Sequence, residues 1–179
     1  MLDSTVAGGV KAHDTPMDCI IDEAQEEACL PLRLVQREGG KVTEEGVITL
    51  GNQNKKTGLY HSEMLYVFDL EMELPPDGVT RGTRRTCQEA AASQMEEEDG
   101  RGEIVIPRPG DEEVEEFILM DCDEVRRRML DGEFKPNVCP VMVDFMVRHG
   151  VLDDLEEDEL NEIRRRLRRK LPVPIESDI

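Results

Sequence analysis

Residues 8–30 read GGVKAHDTPMDCIIDEAQEEACL, and four acids, Asp22, Glu23, Glu26 and Glu27, fall within six residues of that stretch. It predicts a helix. Thr15 suits the N-cap, Pro16 the first helical position and Asp18 the first turn, where a carboxylate favours the dipole. Met17, Ile20, Ile21, Ala24 and Ala28 recur at three- and four-residue steps, which gives the helix one apolar face for a core. At about 3.6 residues per turn, Glu23, Glu26 and Glu27 span roughly 100° of arc. They are expected to converge beside the helix. Like charges one turn apart cost about 0.2–0.5 kcal/mol, and no Lys or Arg stands between Ala12 and Leu32 to offset this. A hard divalent cation would relieve the repulsion. A solvated acidic face would satisfy the same pattern.

The rest of the chain is acidic too, with 41 acids against 22 bases among 179 residues and a net charge of −19. That balance argues against a nucleic-acid surface and against binding to anionic lipid. An anionic ligand would need a metal ion or a local basic cluster. The length allows one domain with a real core, built from Leu, Ile, Val and Met, since there is no Trp and only two Tyr and four Phe. Cys19, Cys29, Cys87, Cys122 and Cys139 lack C-x-x-C spacing, so reduced thiols in a cytoplasmic protein are expected. No run of transmembrane length and no signal-peptide core appears.

Downstream of the acidic helix, Leu34 and Val35 are expected to begin a short extended segment, and GVITL (46–50) reads as a strand. NQNKKTG (52–58) reads as a turn. EMLYVFDLEM (63–72) reads as a buried central strand. Residues 77–112 are rich in Gly, Pro and charge, and are expected to be mostly a mobile insertion. VEEFILM (114–120) returns to strand character. A helix follows through Val125, Met129 and Leu130 to Gly132. Another starts near Val138, with Val141, Met142, Phe145 and Met146 buried, His149 at its end and Gly150 as its stop. Leu155–Leu171 reads as an amphipathic helix whose acids precede its bases, the order the dipole prefers. Residues 172–179 read as a flexible tail.

The spacing Gly8, five residues, Asp14, seven residues, then DEAQEEACL (22–30) resembles the Nudix box, G-x5-E-x7-R-E-U-x-E-E-x-G-U. The three metal-binding glutamates are intact. Asp14 stands for the first Glu, Asp22 for the Arg and Cys29 for the Gly that ends the helix. VAGGV, YHSEMLYVFDLEM and the run from Glu113 through GEFKPN to RHGVL are similar to a fungal and plant Nudix subgroup often labelled thiamine pyrophosphokinase-related. The resemblance implies an α/β Nudix fold over residues 1–171, an α/β/α sandwich around a mixed sheet, here truncated ahead of the box.

It also implies a hydrolase that cleaves a diphosphate, with thiamine diphosphate or its oxidised or oxy analogues as small-molecule substrate, and Mg²⁺ or Mn²⁺ as cofactor. Glu23 and Glu27 are the expected ligands. Glu26 is expected as a third ligand or as the base that takes a proton from water. A further acid is expected opposite the helix, with Glu113 and Glu116 as candidates. Gly8 and Gly9 let the backbone approach a metal or phosphate closely, as a tight turn would also require. Lys135 and Asn137 carry donors suited to phosphate or a ring, although Pro136 and Asn137 would equally start the next helix. Two alternatives stand beside this reading: a catalytically impaired remnant that binds without turnover, and a hydrolase of nucleoside diphosphate derivatives.

Overall fold

Helix α1 (Pro16–Glu26) starts where the sequence places it. Thr15 Oγ1 accepts the Asp18 N–H at 3.2 Å, and Asp18 Oδ2 accepts the Thr15 N–H at 3.1 Å. This reciprocal cap satisfies two amide donors near the start of the helix. The computed structural model describes residues 1–35, 42–73, 81–82, 105–110 and 112–170. Within them the chain is mixed α/β. After α1 come α2 (Leu32–Val35), β1 (Val42–Gln53), β2 (Tyr60–Leu70), β3 (Arg81–Gly82), β4 (Phe117–Ile118), α3 (Cys122–Leu130), α4 (Cys139–Arg148) and α5 (Glu157–Leu167).

Among the described residues the strands make two small sheets. β1 and β2 form an antiparallel hairpin, and β3 pairs antiparallel with β4 through Arg81↔Ile118 and Gly82↔Phe117. The hairpin turn is polar as expected, and Asn54 Oδ1 closes it by accepting the N–H groups of Lys56 and Thr57.

The chain divides into two compact units. The first takes Met1–Leu2, Glu45–Val67 and the residues from Cys122 onward, and the second takes Asp3–Glu44 and Phe68–Asp121. In the second unit α1 buries Ala24 and Ala28, which share a core with Leu30, Val35 and Val105, with Phe117 of β4 packed against it. Two alanines leave little side chain on that face, so neighbouring segments can approach the helix backbone closely. In the first unit Ile48 and Val67 of the hairpin pack with Leu167 of α5. Met146 and Val147 of α4 pack with Leu152 and with Val125, Leu160 and Ile163.

Several expectations need correction. Leu34 and Val35 are helical rather than extended, because Pro31 presets the first turn and its carbonyl accepts the Leu34 N–H at 2.9 Å. The strand expected over 63–72 runs instead from Tyr60 to Leu70, and it is not buried on both faces. Tyr60, Met64 and Tyr66 alternate outward and are exposed, while Val67 is buried, the period-two signature of a strand covered on one side.

In α4, Phe145 is exposed rather than buried, and its ring lies 4.2 Å from that of His149. Asp144, Met146 and Val147 are the buried residues of that helix. Leu130 is likewise exposed at the end of α3. Within the expected insertion, residues 105–110 are packed: Val105 and Pro109 are buried. Most of the remainder of 77–112, and the tail 172–179, lie outside the described residues. No helix among the described residues is long and apolar enough to cross a membrane.

Candidate functional site

The site is built where the segment before α1 folds back on its acidic side. Ala7 donates its backbone N–H to Glu27 Oε2 at 3.1 Å. Gly8 lies so close to Glu23 that a Cβ built on it would overlap the carboxylate. A side chain at the first Gly of GG would therefore displace the Glu23 carboxylate, whereas a Cβ on Gly9 would meet nothing within 4 Å.

Glu23 and Glu27 are half-buried, whereas Asp22 and Glu26 are exposed. The helix explains the split. Residues four apart stand one above the other, while Glu26 is turned about 100° away from Glu27. The structure thus brings Glu23 and Glu27 to the Ala7–Gly8 backbone and leaves Glu26 toward solvent. Among the described residues, no three or more His, Cys, Asp or Glu side chains stand close enough together to hold a metal ion. The Glu23 and Glu27 oxygens are still the hard donors that Mg²⁺ prefers. In kind, these residues fit the cation the resemblance implies.

The electrostatics of this side are carried by its acids. Burial pushes the Cys19 thiol above its ordinary pKa, and Glu23, Asp14 and Asp22 raise it further while Lys11 opposes them. A thiolate is disfavoured beside so much negative charge.

The end of α1 is held as closely as its face. Cys29 has φ +50°, a left-handed conformation, at the position where the box pattern has Gly. Its N–H bonds to Gln25 O at 3.2 Å and the Leu30 N–H bonds to Ala24 O at 3.0 Å. A non-glycine residue there is strained by about 1–2 kcal/mol. The last carbonyls, of Glu27 and Ala28, accept the N–H groups of Gly110 at 2.9 Å and Arg108 at 3.0 Å. This segment lies within residues 77–112, the stretch expected to be mostly a mobile insertion. Its Pro107 and Pro109 were the available signal, because prolines fix the extended backbone that lets alternate amides reach the helix end.

The other expected site residues lie as follows. Glu113 and Glu116 are exposed in the second unit, Glu116 one residue before Phe117, which packs against the core containing Ala24 and Ala28. Lys135 belongs to the first unit, where its N–H donates to Leu2 O at 2.9 Å. Its carbonyl accepts from Val138 and Cys139, so the GEFKPN run does lead into α4. The Ala7 amide is the contact sequence reasoning missed. A backbone donor leaves no mark on residue type.

The chain is similar to the uncharacterized protein YJR142W of Saccharomyces cerevisiae, 29% identical over 180 residues, an alignment that covers 97% of this chain and 44% of the yeast protein. It thus spans less than half the length of that relative. No family model matches the chain, and no solved structure matches it.

Proposed function

We propose that the chain is a metal-dependent Nudix hydrolase, with the α/β/α architecture of that family. It cleaves a diphosphate linkage, with thiamine diphosphate or its oxidised or oxy analogues as substrate and the monophosphate and phosphate as products. The observation that carries the reading is the seating of the Gly8 loop on Glu23 and Glu27, at the spacing of the Nudix box. Glu23 and Glu27 would hold Mg²⁺ or Mn²⁺, and Glu26, exposed beside them, would accept a proton from the attacking water. The cation supplies neutralisation of the diphosphate oxygens and a lowered pKa for water. In a chain of net charge −19, that neutralisation is what admits an anionic substrate. The Ala7 amide orients Glu27, and Gly8 keeps the loop close enough for it to do so.

A second reading is favoured by Asp22 in the place of the box Arg and by the gathering of two carboxylates rather than three. On that reading the chain binds a metal or partner without turnover. The test is a panel of thiamine diphosphate, its oxidised and oxy forms, nucleoside diphosphate sugars and dinucleotides, assayed for hydrolysis with Mg²⁺ and with EDTA. Mg²⁺-dependent release of phosphate from the thiamine compounds is expected. Turnover of nucleotide substrates alone would reassign the substrate class, and Mg²⁺-dependent binding without turnover of any member would favour the second reading.

A further inference from the structure

Within the first unit, a cleft of about 200 Å³ is lined by Thr49, Leu50 and Gly51 of β1, Tyr60 of β2, and Arg166, Arg169 and Lys170 at and beyond the end of α5. We propose that this cleft binds the phosphate group of a small soluble molecule, with Arg169, Lys170 and the Tyr60 hydroxyl as its donors. The proposal goes beyond the hydrolase reading and takes no residue from α1.

Three observations support it. First, the bases of the run RRRLRRK are not equivalent. Arg164 is bound to Glu157, and Arg165 and Arg166 are both bound to Glu162. Arg169 and Lys170 have no ion-pair partner among the described residues, and the Tyr60 hydroxyl has no hydrogen-bond partner among them. These donors therefore need not be stripped from another group before they meet a ligand.

Second, the charge survives its surroundings. A helix C-terminus carries about −0.5 elementary charge, against two cations here that have no ion-pair partner among the described residues. Just beyond that end, the Arg169 carbonyl accepts the Thr49 hydroxyl at 2.6 Å. This bond, with the parallel bridge of Thr49 to Arg168, ties the basic segment to β1 and fixes one wall of the cleft.

Third, the shape selects a group rather than a whole ligand. Pockets for complete small molecules run from about 300 to 1,000 Å³, so this cleft suits an anionic head with the remainder of the ligand outside. Gly51 makes room for the phenol, as a Cβ there would overlap the Tyr60 hydroxyl.

The test is calorimetric titration of the full chain with inorganic phosphate at low ionic strength, in EDTA so that no metal site contributes. Saturable binding is expected, weakened at least about tenfold by the double substitution Arg169→Gln, Lys170→Gln, since each charged donor lost removes one charge-assisted bond. Tyr60→Phe keeps the ring over Gly51 and removes only the hydroxyl; about threefold weakening is expected. That variant decides the matter if the double substitution unfolds the chain. Glu27→Gln should bind phosphate as the parent does, which separates this site from the one on α1. Absence of saturable binding, or parental affinity in both the double variant and Tyr60→Phe, overturns the proposal. So does binding to phosphatidic acid vesicles without binding to soluble phosphate.

Discussion

Helix α1 of the second unit and helix α5 of the first each carry a run of like charges, and each disposes of it differently. In α5 the bases are answered from within the helix: Glu157 takes Arg164, and Glu162 takes both Arg165 and Arg166. Those two guanidiniums hold the Glu162 carboxyl down to about 2. In α1 no base is present within the helix itself, and among the contacts of its acids are the Ala7 amide on Glu27 and the Gly8 loop against Glu23. A charge run that its own helix can neutralise serves the helix.

The largest effect is expected from breaking the α1 side of this contrast. Gly8→Ala forces the loop or Glu23 to move, and a displacement of about 1 Å near reacting groups costs on the order of 100-fold in rate. Diphosphatase kcat/KM should fall by that factor, while Gly9→Ala, with open space around it, should match the parent. Equal loss in both would mean the loop matters for folding rather than for the carboxylates.

The first unit answers charge with charge in its interior as well. Asp144 is buried and bonds Arg148 Nε at 2.7 Å and Arg168 at 3.3 Å, while Arg148 also meets Glu45. Asp144→Ala takes one carboxylate from both cations, and because Arg148 keeps Glu45 and Arg168 remains partly exposed, a loss of about 2 kcal/mol is expected rather than the full cost of a buried pair. Urea unfolding measures it. A loss of a few tenths would show that solvent already screens the cluster.

A smaller change sharpens the comparison of helix ends. α3 and α4 end on Gly132 and Gly150 with φ near +70°, and each has the paired backbone bonds of a glycine stop. α1 ends on Cys29 instead. Cys29→Gly relieves about 1–2 kcal/mol of left-handed strain and costs about 0.5–1 kcal/mol in chain entropy. A net gain of about 0.5 kcal/mol is expected in thermal melts, and destabilisation would show that the Cys29 side chain contributes more than its backbone strain costs.

The smallest effect is one of pH. The folded Glu162 carboxyl titrates near 2 against an ordinary 4.5, so its support for α5 is complete above pH 4.5 and fades as pH falls toward 2. The acid melting of Glu162→Gln should lack that component. Identical acid titrations for parent and variant would break the assignment of α5 as self-neutralised.

Much of the local structure was legible in the residues. The Thr15 and Asp18 cap, the apolar stripe through Ala24 and Ala28, and the stops at Gly132 and Gly150 are signals that act within a few positions, and each is found in place. What the sequence hid depended on distant partners. Phe145 has the right spacing for burial, but the face of α4 is set by Asp144 reaching two arginines. The apolar run 104–106 was the one exception within a polar stretch, and nothing in it announces that the amides of Arg108 and Gly110 close the end of α1. In the site, Gly8 and the glutamates were readable by spacing. The split between half-buried Glu23 and Glu27 and exposed Glu26 was set by where the loop lands.

Under the proposed function, Glu27, held by the Ala7 amide, serves a cation-assisted hydrolysis rather than the stability of α1. The direct measurement is kcat/KM for thiamine diphosphate with Mg²⁺ in the parent and in Glu27→Gln, alongside the unfolding free energy of each. A fall of at least about 100-fold with stability changed by less than about 1 kcal/mol is predicted. Activity retained in Glu27→Gln would contradict it.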